Sequence, residues 1–277
     1  NVALREYKGD AIIKVDAHAV IPEDFVSKNV RVLETGEYIC GGQRPNIIDK
    51  PTPFKETLLL AESSMFGSSI ASYRNNPGKT YVKSLFHAAY RREVFEKVGF
   101  FNEELVRTED NEIHYRMRKA GYKLCFDPDI ISYQYTRSSL KAMLKQKYAN
   151  GYWIGKTSKV CPKCLSIYHF VPFAFVSAII ASGSVIGATG LAECIKKRHN
   201  HTLGKGISAL RKVTVVLTTV MWVLYALMAS GMAAVSAFKA EDKRNITNAC
   251  LPVLFLLLHL SYGIGTIAGL MDKSKRG

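Results

Sequence analysis

The sequence predicts an α/β domain followed by a C-terminal region of transmembrane helices. Residues 1–163 mix charged and apolar side chains, and a short apolar run at 11–15 ends abruptly in polar residues. Three long runs, 164–192, 213–238 and 245–271, contain no Asp, Glu, Lys or Arg. A membrane-spanning helix needs about 20 mostly apolar residues, so each run is long enough. A buried core helix is the alternative for each run, and three runs in succession disfavour it.

We therefore divide the chain into a domain at 1–157 and a membrane region at 164–271. Within the membrane region the apolar segments lie at about 168–192, 213–238 and 249–271. The chain starts with Asn1 rather than Met, and its opening residues lack the basic start and apolar run of a secretory signal. We expect it to be a fragment whose true beginning lies upstream.

The net charge of +15 raises the question of a nucleic-acid partner. Much of the basic excess lies beside the apolar runs, at 141–163 and 196–198, where anionic lipid headgroups attract Lys and Arg. No nucleic-acid-binding motif accompanies the charge. We expect membrane lipids as partners and no nucleic acid.

Hydrophobic patterns and capping residues predict the elements of the domain. A buried strand of a parallel sheet is expected at 11–15, and a strand at 37–40 is expected to end at Gly41 and Gly42. Thr108 is expected to cap a helix that stops at Gly121. Helices are predicted at 22–33, 54–65, 91–98, 109–120 and 141–153, and further strands at 123–126 and 130–135.

The first candidate for chemistry is Asp16-Ala17-His18, directly after the predicted strand at 11–15. Ligands of open α/β sheets bind outside the carboxyl ends of strands. A carboxylate and an imidazole two residues apart can both face a metal that carries a diphosphate. Mg²⁺ prefers oxygen ligands and Mn²⁺ also accepts imidazole. The alternative is a carboxylate that caps a turn.

The second candidate is Glu109-Asp110, at the start of a predicted helix. Transfer of a sugar to a hydroxyl group needs a base that takes the acceptor proton. The helix dipole keeps a carboxylate in the first turn ionised, as a base must be. Acidic residues in a first turn are also common capping features, so this pair alone does not decide between the two.

The third candidate group lies just before the membrane region and includes Gln146 and Trp153. Aromatic rings beside amide groups suit a sugar or a diphosphate. Trp and Tyr also anchor at membrane interfaces for purely physical reasons. Both interpretations stay open.

The order and spacing of several motifs resemble the family 2 glycosyltransferases of GT-A fold, closest to the succinoglycan-biosynthesis type. The resemblance is close over about residues 1–157 and looser at 259–265. The motifs that carry it are Asp16-Ala17-His18, the segment 90–100, Thr108-Glu109-Asp110-Asn111-Glu112 with Arg116, Ala120-Gly121-Tyr122 and Asp127-Pro128.

The resemblance implies a partial GT-A (nucleotide-diphospho-sugar transferase) domain whose nucleotide-binding strand and loop would precede Asn1. It implies a nucleotide-sugar donor, a divalent metal (Mg²⁺ or Mn²⁺), and a hexosyltransferase-like activity. Asp16 and His18 match the metal motif, Asp110 the catalytic base and Glu109 its partner. Positions near the donor and acceptor pocket are matched by Gly41, Gly42, Arg91 and Arg92.

One departure concerns processive synthases of the cellulose and hyaluronan kind, which carry a QxxRW motif. Here Gln146 is followed by Lys147-Tyr148-Ala149-Asn150, and Trp153 comes seven positions on. This favours addition of a single sugar over polymerisation. A non-catalytic scaffold or transport component would carry ionisable residues in its spans, and only His259 lies deep in a run.

The expected enzyme is an inverting, multi-pass protein of the plasma membrane with its catalytic domain on the cytoplasmic face. Its acceptor is expected to be a lipid-linked oligosaccharide of extracellular or capsular polysaccharide synthesis. With three spans, basic residues divide equally between the two sides, whereas an excess is expected inside. A first run that dips in and returns would restore the excess. The alternative is a spanning helix with a packing face at Gly183 and Gly187.

Overall fold

The computed structural model describes residues 1–17, 19–67, 78–198, 204–240 and 245–274. An α/β domain comes first, and three long apolar helices follow it. The helices are α1 (Val2–Glu6), α2 (Phe25–Glu34), α3 (Pro53–Ser63), α4 (Arg92–Val98), α5 (Glu109–Lys119), α6 (Leu140–Val160), α7 (Val171–Arg198), α8 (Lys205–Lys239) and α9 (Leu251–Met271). The strands are β1 (Ala11–Ile13), β2 (Ala19–Val20), β3 (Ile39–Gln43), β4 (Asn46–Ile47), β5 (Thr80–Val82), β6 (Ala88–Arg91), β7 (Leu124–Ile131) and β8 (Tyr133–Tyr135).

The described strands form two sheets, one of five strands in the order β1-β6-β3-β7-β5 and one of three in the order β2-β8-β4. β3 and β7 are parallel, whereas β6 is antiparallel to both β1 and β3. β1, β3 and β7 therefore run in the same direction, and their carboxyl ends meet at one edge of the larger sheet. This edge is where the sequence places Asp16.

The predicted strands differ from the structure in bounds or pairing, and those at 123–126 and 130–135 are replaced by β7 and β8. The expected buried strand of a parallel sheet at 11–15 is a three-residue edge strand, antiparallel to β6 and only partly buried. The strand at 37–40 does not end at the glycines, because β3 continues through Gly41 and Gly42. A Cβ at Gly42 would overlap with the Ile130 and Asp127 carbonyl oxygens of β7, so only glycine fits this approach of two strands.

The predicted helices are present with shifted boundaries. The helix expected at 141–153 extends to Val160. Thr108 precedes α5 as predicted, but its side chain makes no capping hydrogen bond. The Thr108 hydroxyl instead bonds to the Thr157 hydroxyl of α6, which links the start of α5 to α6. Gly121 follows the helix with a φ of 94°, a backbone angle that favours glycine.

The three predicted apolar segments are helical. α7 is one continuous helix, which contradicts a first run that dips in and returns. The alternative packing face at Gly183 and Gly187 is also wrong for the described residues, since a Cβ at either position would meet nothing within 4 Å. His259 of α9 is held by two partners: it donates from Nε2 to the Phe66 carbonyl (2.7 Å) and accepts from the Tyr225 hydroxyl (2.9 Å).

Candidate active site

The predicted base lies opposite a lysine that follows β1. The Lys14 ammonium donates to Asp110 Oδ1 at 2.6 Å and lies 3.3 Å from Glu109 Oε1. Its backbone N–H donates to the Ala88 carbonyl of β6, which continues the pairing of the strand and fixes Lys14 at the sheet edge. The first turn of α5, which carries Glu109 and Asp110, thus faces the carboxyl end of β1, which leads to Asp16.

Burial and charge set the protonation of this group. Burial raises the pKa of Asp110 to about 6 because it disfavours the charged carboxylate, and Lys14 opposes that rise. For Lys14, burial lowers the pKa, but the carboxylates of Asp110, Glu109 and Asp16 together outweigh it and the net shift is upward. A carboxylate with a pKa near the working pH can accept a proton and release it again.

α5 is fixed by contacts on both of its sides. Arg116 forms a two-bond pair with Glu112, with Nε 2.6 Å from Oε1, and also donates to the Val98 carbonyl at 2.7 Å. Beneath the helix, the buried His114 ring bonds to the Ser84 and Tyr90 hydroxyl groups at 3.0 and 2.8 Å. Burial lowers the pKa of His114 to about 3, so the ring is neutral. These contacts hold the first turn of α5 in place.

Asp16 lies at the same edge, and its Oδ2 is 4.0 Å from His87 Nε2. The His87 Nδ1 atom in turn lies 2.8 Å from the Ser132 hydroxyl, after β7. Sequence reasoning missed Lys14 and His87. The spacing of Lys14 two residues before Asp16 is a signal for Lys14, since alternate residues of an extended chain share one side.

The residues fit a divalent metal in one specific mode. Among the described residues, no three His, Cys, Asp or Glu side chains form a complete metal site. Mg²⁺ commonly takes only one or two protein carboxylates and completes its shell with water and substrate phosphates. Asp16 is partly exposed and suits that mode. His18, the other predicted ligand, lies outside the described residues.

The structure divides the remaining predicted residues into two groups. Gln146 and Trp153 lie on one face of α6 together with Asn150 and Thr157, by their spacing along the helix. Asn150 accepts a hydrogen bond from Arg107 at 3.1 Å, and Thr157 bonds to Thr108. This face of α6 is therefore directed at the start of α5.

Arg91 and Arg92 lie at the opposite end of the sheet, because Arg91 pairs with Ala11 at the start of β1. Arg91 donates to the Leu33 and Glu37 carbonyls at 2.7 and 3.0 Å. Arg92 donates to the Gly9 carbonyl at 2.6 Å. The structure does not bring these guanidinium groups to Asp110, and their contacts are those of residues that stabilise the fold.

Gly41 and Gly42 are buried in β3 near the candidate site. A Cβ at Gly41 would meet the His87 carbonyl oxygen at 2.7 Å. Close packing of backbones therefore explains the glycines without a ligand. An open cavity of about 480 Å³ borders Lys14 and Glu109 and is also lined by Asn1 and Phe101.

Comparison with known proteins places this chain among the glycosyltransferases. The chain belongs to the family described as glycosyl transferase family group 2, whose profile matches residues 11–265. This confirms the resemblance, the fold class and the class of enzyme that the sequence predicts. It does not test the roles of individual residues.

Several curated proteins are similar to this chain. The succinoglycan biosynthesis protein ExoA of Rhizobium meliloti is 27% identical over 145 residues, which cover 51% of this chain and 43% of that protein. A dolichyl N-acetyl-alpha-D-glucosaminyl phosphate 3-beta-D-2,3-diacetamido-2,3-dideoxy-beta-D-glucuronosyltransferase of Methanococcus voltae is 24% identical over 65% of this chain and 57% of its own. The O-antigen chain rhamnosyltransferase RfbN of Salmonella typhimurium is 29% identical over 46% and 42%. The chain thus spans about half the length of these relatives.

Proposed function

We propose that this protein is a membrane-bound, inverting glycosyltransferase that moves a hexose-like sugar from a nucleotide sugar to a lipid-linked saccharide. The observation that carries the proposal is the Lys14–Asp110 contact at the strand edge that also holds Asp16. The names of the relatives, which include polysaccharide, dolichyl phosphate and O-antigen proteins, support a role in extracellular or capsular polysaccharide synthesis.

Asp110 acts as the base in this proposal. The acceptor hydroxyl oxygen attacks the anomeric carbon of the donor while its proton passes to an Asp110 carboxylate oxygen. The bond between the anomeric carbon and the nucleotide diphosphate breaks in the same step, and the diphosphate leaves with the bonding electrons. Lys14 keeps Asp110 ionised before the reaction and holds the carboxylate in position.

Asp16, with His18, would hold a divalent metal, Mg²⁺ or Mn²⁺. When bound, such an ion supplies positive charge that balances the charge on the departing diphosphate. The acceptor lies beside the contact between the start of α5 and α6, next to the α6 face that carries Gln146. The amide of Gln146 suits the hydroxyl groups of a saccharide, whereas Trp153 is buried and supports that face from within.

The experiment separates donor binding from transfer in membranes that contain the full-length protein. A panel of UDP, GDP and dTDP sugars serves as donors, and release of nucleoside diphosphate reports transfer. Asp110→Asn is expected to retain donor binding and lose at least about 100-fold in transfer, because the proton acceptor is gone. Asp16→Asn is expected to weaken donor binding.

The exposed Asp49 gives the matched control, Asp49→Asn, with both donor binding and transfer unchanged. Substantial transfer by Asp110→Asn would contradict the assigned base.

Inversion at the anomeric carbon follows from a single displacement. Asp110 and Glu109 both contact Lys14, and the proposal assigns this pair to proton transfer. A covalent intermediate would need a separate carboxylate as its nucleophile. The product is expected to have the anomeric configuration opposite to that of the donor. The one-bond and three-bond NMR couplings of the anomeric proton measure it, and retention would rule out this mechanism.

A further inference from the structure

The three apolar helices differ in how far the rest of the protein covers them. In the most apolar stretch of α9, 39% of the residues are buried, against 6% in α7 and 6% in α8. Large side chains of α7 and α8 are exposed along both helices, including Leu191, Leu217 and Leu227. Among the three helices, α7 and α8 therefore present much more continuous apolar surface for lipid chains than α9, whose exposed apolar side chains, such as Val253 and Ile264, are fewer.

α6 lies parallel to α9, and glycines of both helices allow the close contact. A Cβ at Gly265 or Gly269 of α9 would overlap with the carbonyl oxygens of Tyr148 and Tyr152. A Cβ at Gly151 of α6 would overlap in the same way with the Tyr262 carbonyl. The contacting residues rise in number along both helices in the same direction, so α6 and α9 are parallel. α6 therefore packs along the apolar segment of α9.

α6 cannot enter the hydrocarbon at low cost. Its lysines are distributed from one end to the other, at 141, 145, 147, 156 and 159. Lys147 is buried and lies 3.3 Å from Glu62 of α3, which binds it to the α/β domain. A lysine at the centre of a membrane costs about 2.5–3.5 kcal/mol on insertion scales. A crossing by α9 would carry this helix and the domain surface with it.

Both ends of α9 are attached to the α/β domain. At its beginning, the Thr247 hydroxyl lies 2.6 Å from the Thr57 hydroxyl of α3. At its end, the Asp272 carbonyl accepts from Lys159 of α6 at 2.8 Å. A helix whose two ends contact one water-soluble domain cannot place those ends on opposite sides of a bilayer.

α7 and α8 form an antiparallel pair. The rings of Phe175 and Tyr225 stack at 4.7 Å near one end, and Glu193 pairs with Arg211 near the other. The start of α7 and the end of α8 both adjoin the α/β domain, through Cys164 near α5 and Asn245 near α3. The end marked by Glu193 and Arg211 lies away from those attachments, and the sequence at 196–212 is basic.

We propose that α7 and α8 alone cross the membrane, as a helical hairpin, and that α9 stays with the catalytic domain on one side of it. The basic residues of 141–163, 239–244 and 273–276 then share one side, and only those of 196–212 lie on the other. This arrangement satisfies the positive-inside rule, which three crossings do not. The proposal depends on the proposed function only for naming the catalytic side as cytoplasmic.

Labelling of introduced cysteines in intact cells tests the hairpin, with the buried Cys40, Cys125 and Cys164 retained. The full-length protein carries serine at Cys161, Cys194 and Cys250, and one new cysteine at Gly204, Gly277 or Asp49. A membrane-impermeant maleimide is expected to label Gly204→Cys from outside and to leave Gly277→Cys and Asp49→Cys unlabelled until the cells are permeabilised. Labelling of Gly277→Cys from outside would overturn the proposal, and so would protection of Gly204→Cys.

A second measurement avoids the cysteine substitutions. Green fluorescent protein fused after Gly277 is expected to fluoresce, and alkaline phosphatase at the same position to be inactive, since the former folds inside the cell and the latter outside. The opposite pattern would show that α9 crosses. Sugar transfer is measured in the same membranes, so a failure of the proposed activity leaves the topology result intact.

Discussion

Lys14 is the residue that joins the strand edge to the candidate base. It reaches Asp110 at 2.6 Å and Glu109 at 3.3 Å, and its charge opposes the effect of burial on Asp110. The charge of Lys14 lowers the pKa of Asp110 relative to the value that burial alone would give. The Asp110 carboxylate therefore stays ionised to lower pH. Lys14 acts through Asp110 and is therefore a positioning residue in the proposed reaction.

Lys14→Gln is expected to move the acidic limb of the pH–rate profile upward. Asp110 must be ionised to accept a proton, so transfer rises with pH around its pKa of about 6. Loss of the cation raises that pKa further, by about one to three units for a charge at this distance. The measurement is kcat/KM for transfer between about pH 5 and 9.

The exposed Lys8 gives the matched control, Lys8→Gln, with an unchanged limb. At pH values well above the limb, Lys14→Gln is expected to approach the wild-type rate, which a general loss of structure would not allow. A limb that stays in place or moves to lower pH contradicts the role of Lys14.

At the scale of elements, α6 and α9 pack with their backbones in close contact. Gly151 and Gly155 of α6 and Gly265 and Gly269 of α9 all lie against backbone atoms of the partner helix. Each is a small residue four positions from the next, the spacing that lets two helix backbones approach. The pairing joins the catalytic domain to the apolar helices.

Gly265→Ala is expected to destabilise the protein by roughly 1–3 kcal/mol, because the added methyl group overlaps with the Tyr148 carbonyl and forces the helices apart. Gly187→Ala in α7 is the matched control, since open space surrounds that position. Alanine favours a helix over glycine by about 1 kcal/mol, so the control is expected to be neutral or stabilising. Thermal unfolding of the detergent-solubilised protein, followed by its monodisperse fraction, measures both. Equal stability of the two variants would mean that the contact is not tight.

The elements also show where sequence reasoning succeeds and where it fails. Periodicity and capping residues predicted the helices and the positions of Asp16 and Asp110, because these signals are local. The packing face formed by the glycines of α6 and α9 was missed, because the two helices lie more than a hundred residues apart and no local pattern pairs them. For the same reason Lys14 was missed: its partners lie on α5, and only the fold brings the two segments together.

At the scale of the whole molecule, the proposed topology places most of the basic residues near the membrane on the catalytic side. With α7 and α8 as the only crossings, the exposed lysines of α6 lie on that side and the basic residues of 196–212 on the other. Each lysine or arginine near an anionic surface contributes about 1 kcal/mol of attraction, which salt screens. In the proposed topology, this attraction orients the catalytic domain on the bilayer.

The rate of transfer in lipid nanodiscs is accordingly expected to fall when anionic lipids are replaced by zwitterionic ones. The double variant Lys141→Gln with Lys145→Gln is expected to lose part of this dependence, because both lysines are exposed on α6. Lys83→Gln, an exposed lysine after β5, is expected to behave as wild type. A rate that does not depend on lipid charge would contradict this orientation.

The attachment of α9 to α6 has a consequence for the synthesis of the protein on the ribosome. Tyr152 and Asp272, which are hydrogen-bonded, are 120 residues apart in the chain. During synthesis, α6 has no α9 to pack against until the proposed hairpin of α7 and α8 has been made and inserted. α9 must then leave the insertion machinery on the side from which it entered. α6 borders the candidate active site through Thr157 and Asn150. If α6 takes its final position only when α9 docks, the proposed activity is expected to appear after the hairpin has been inserted.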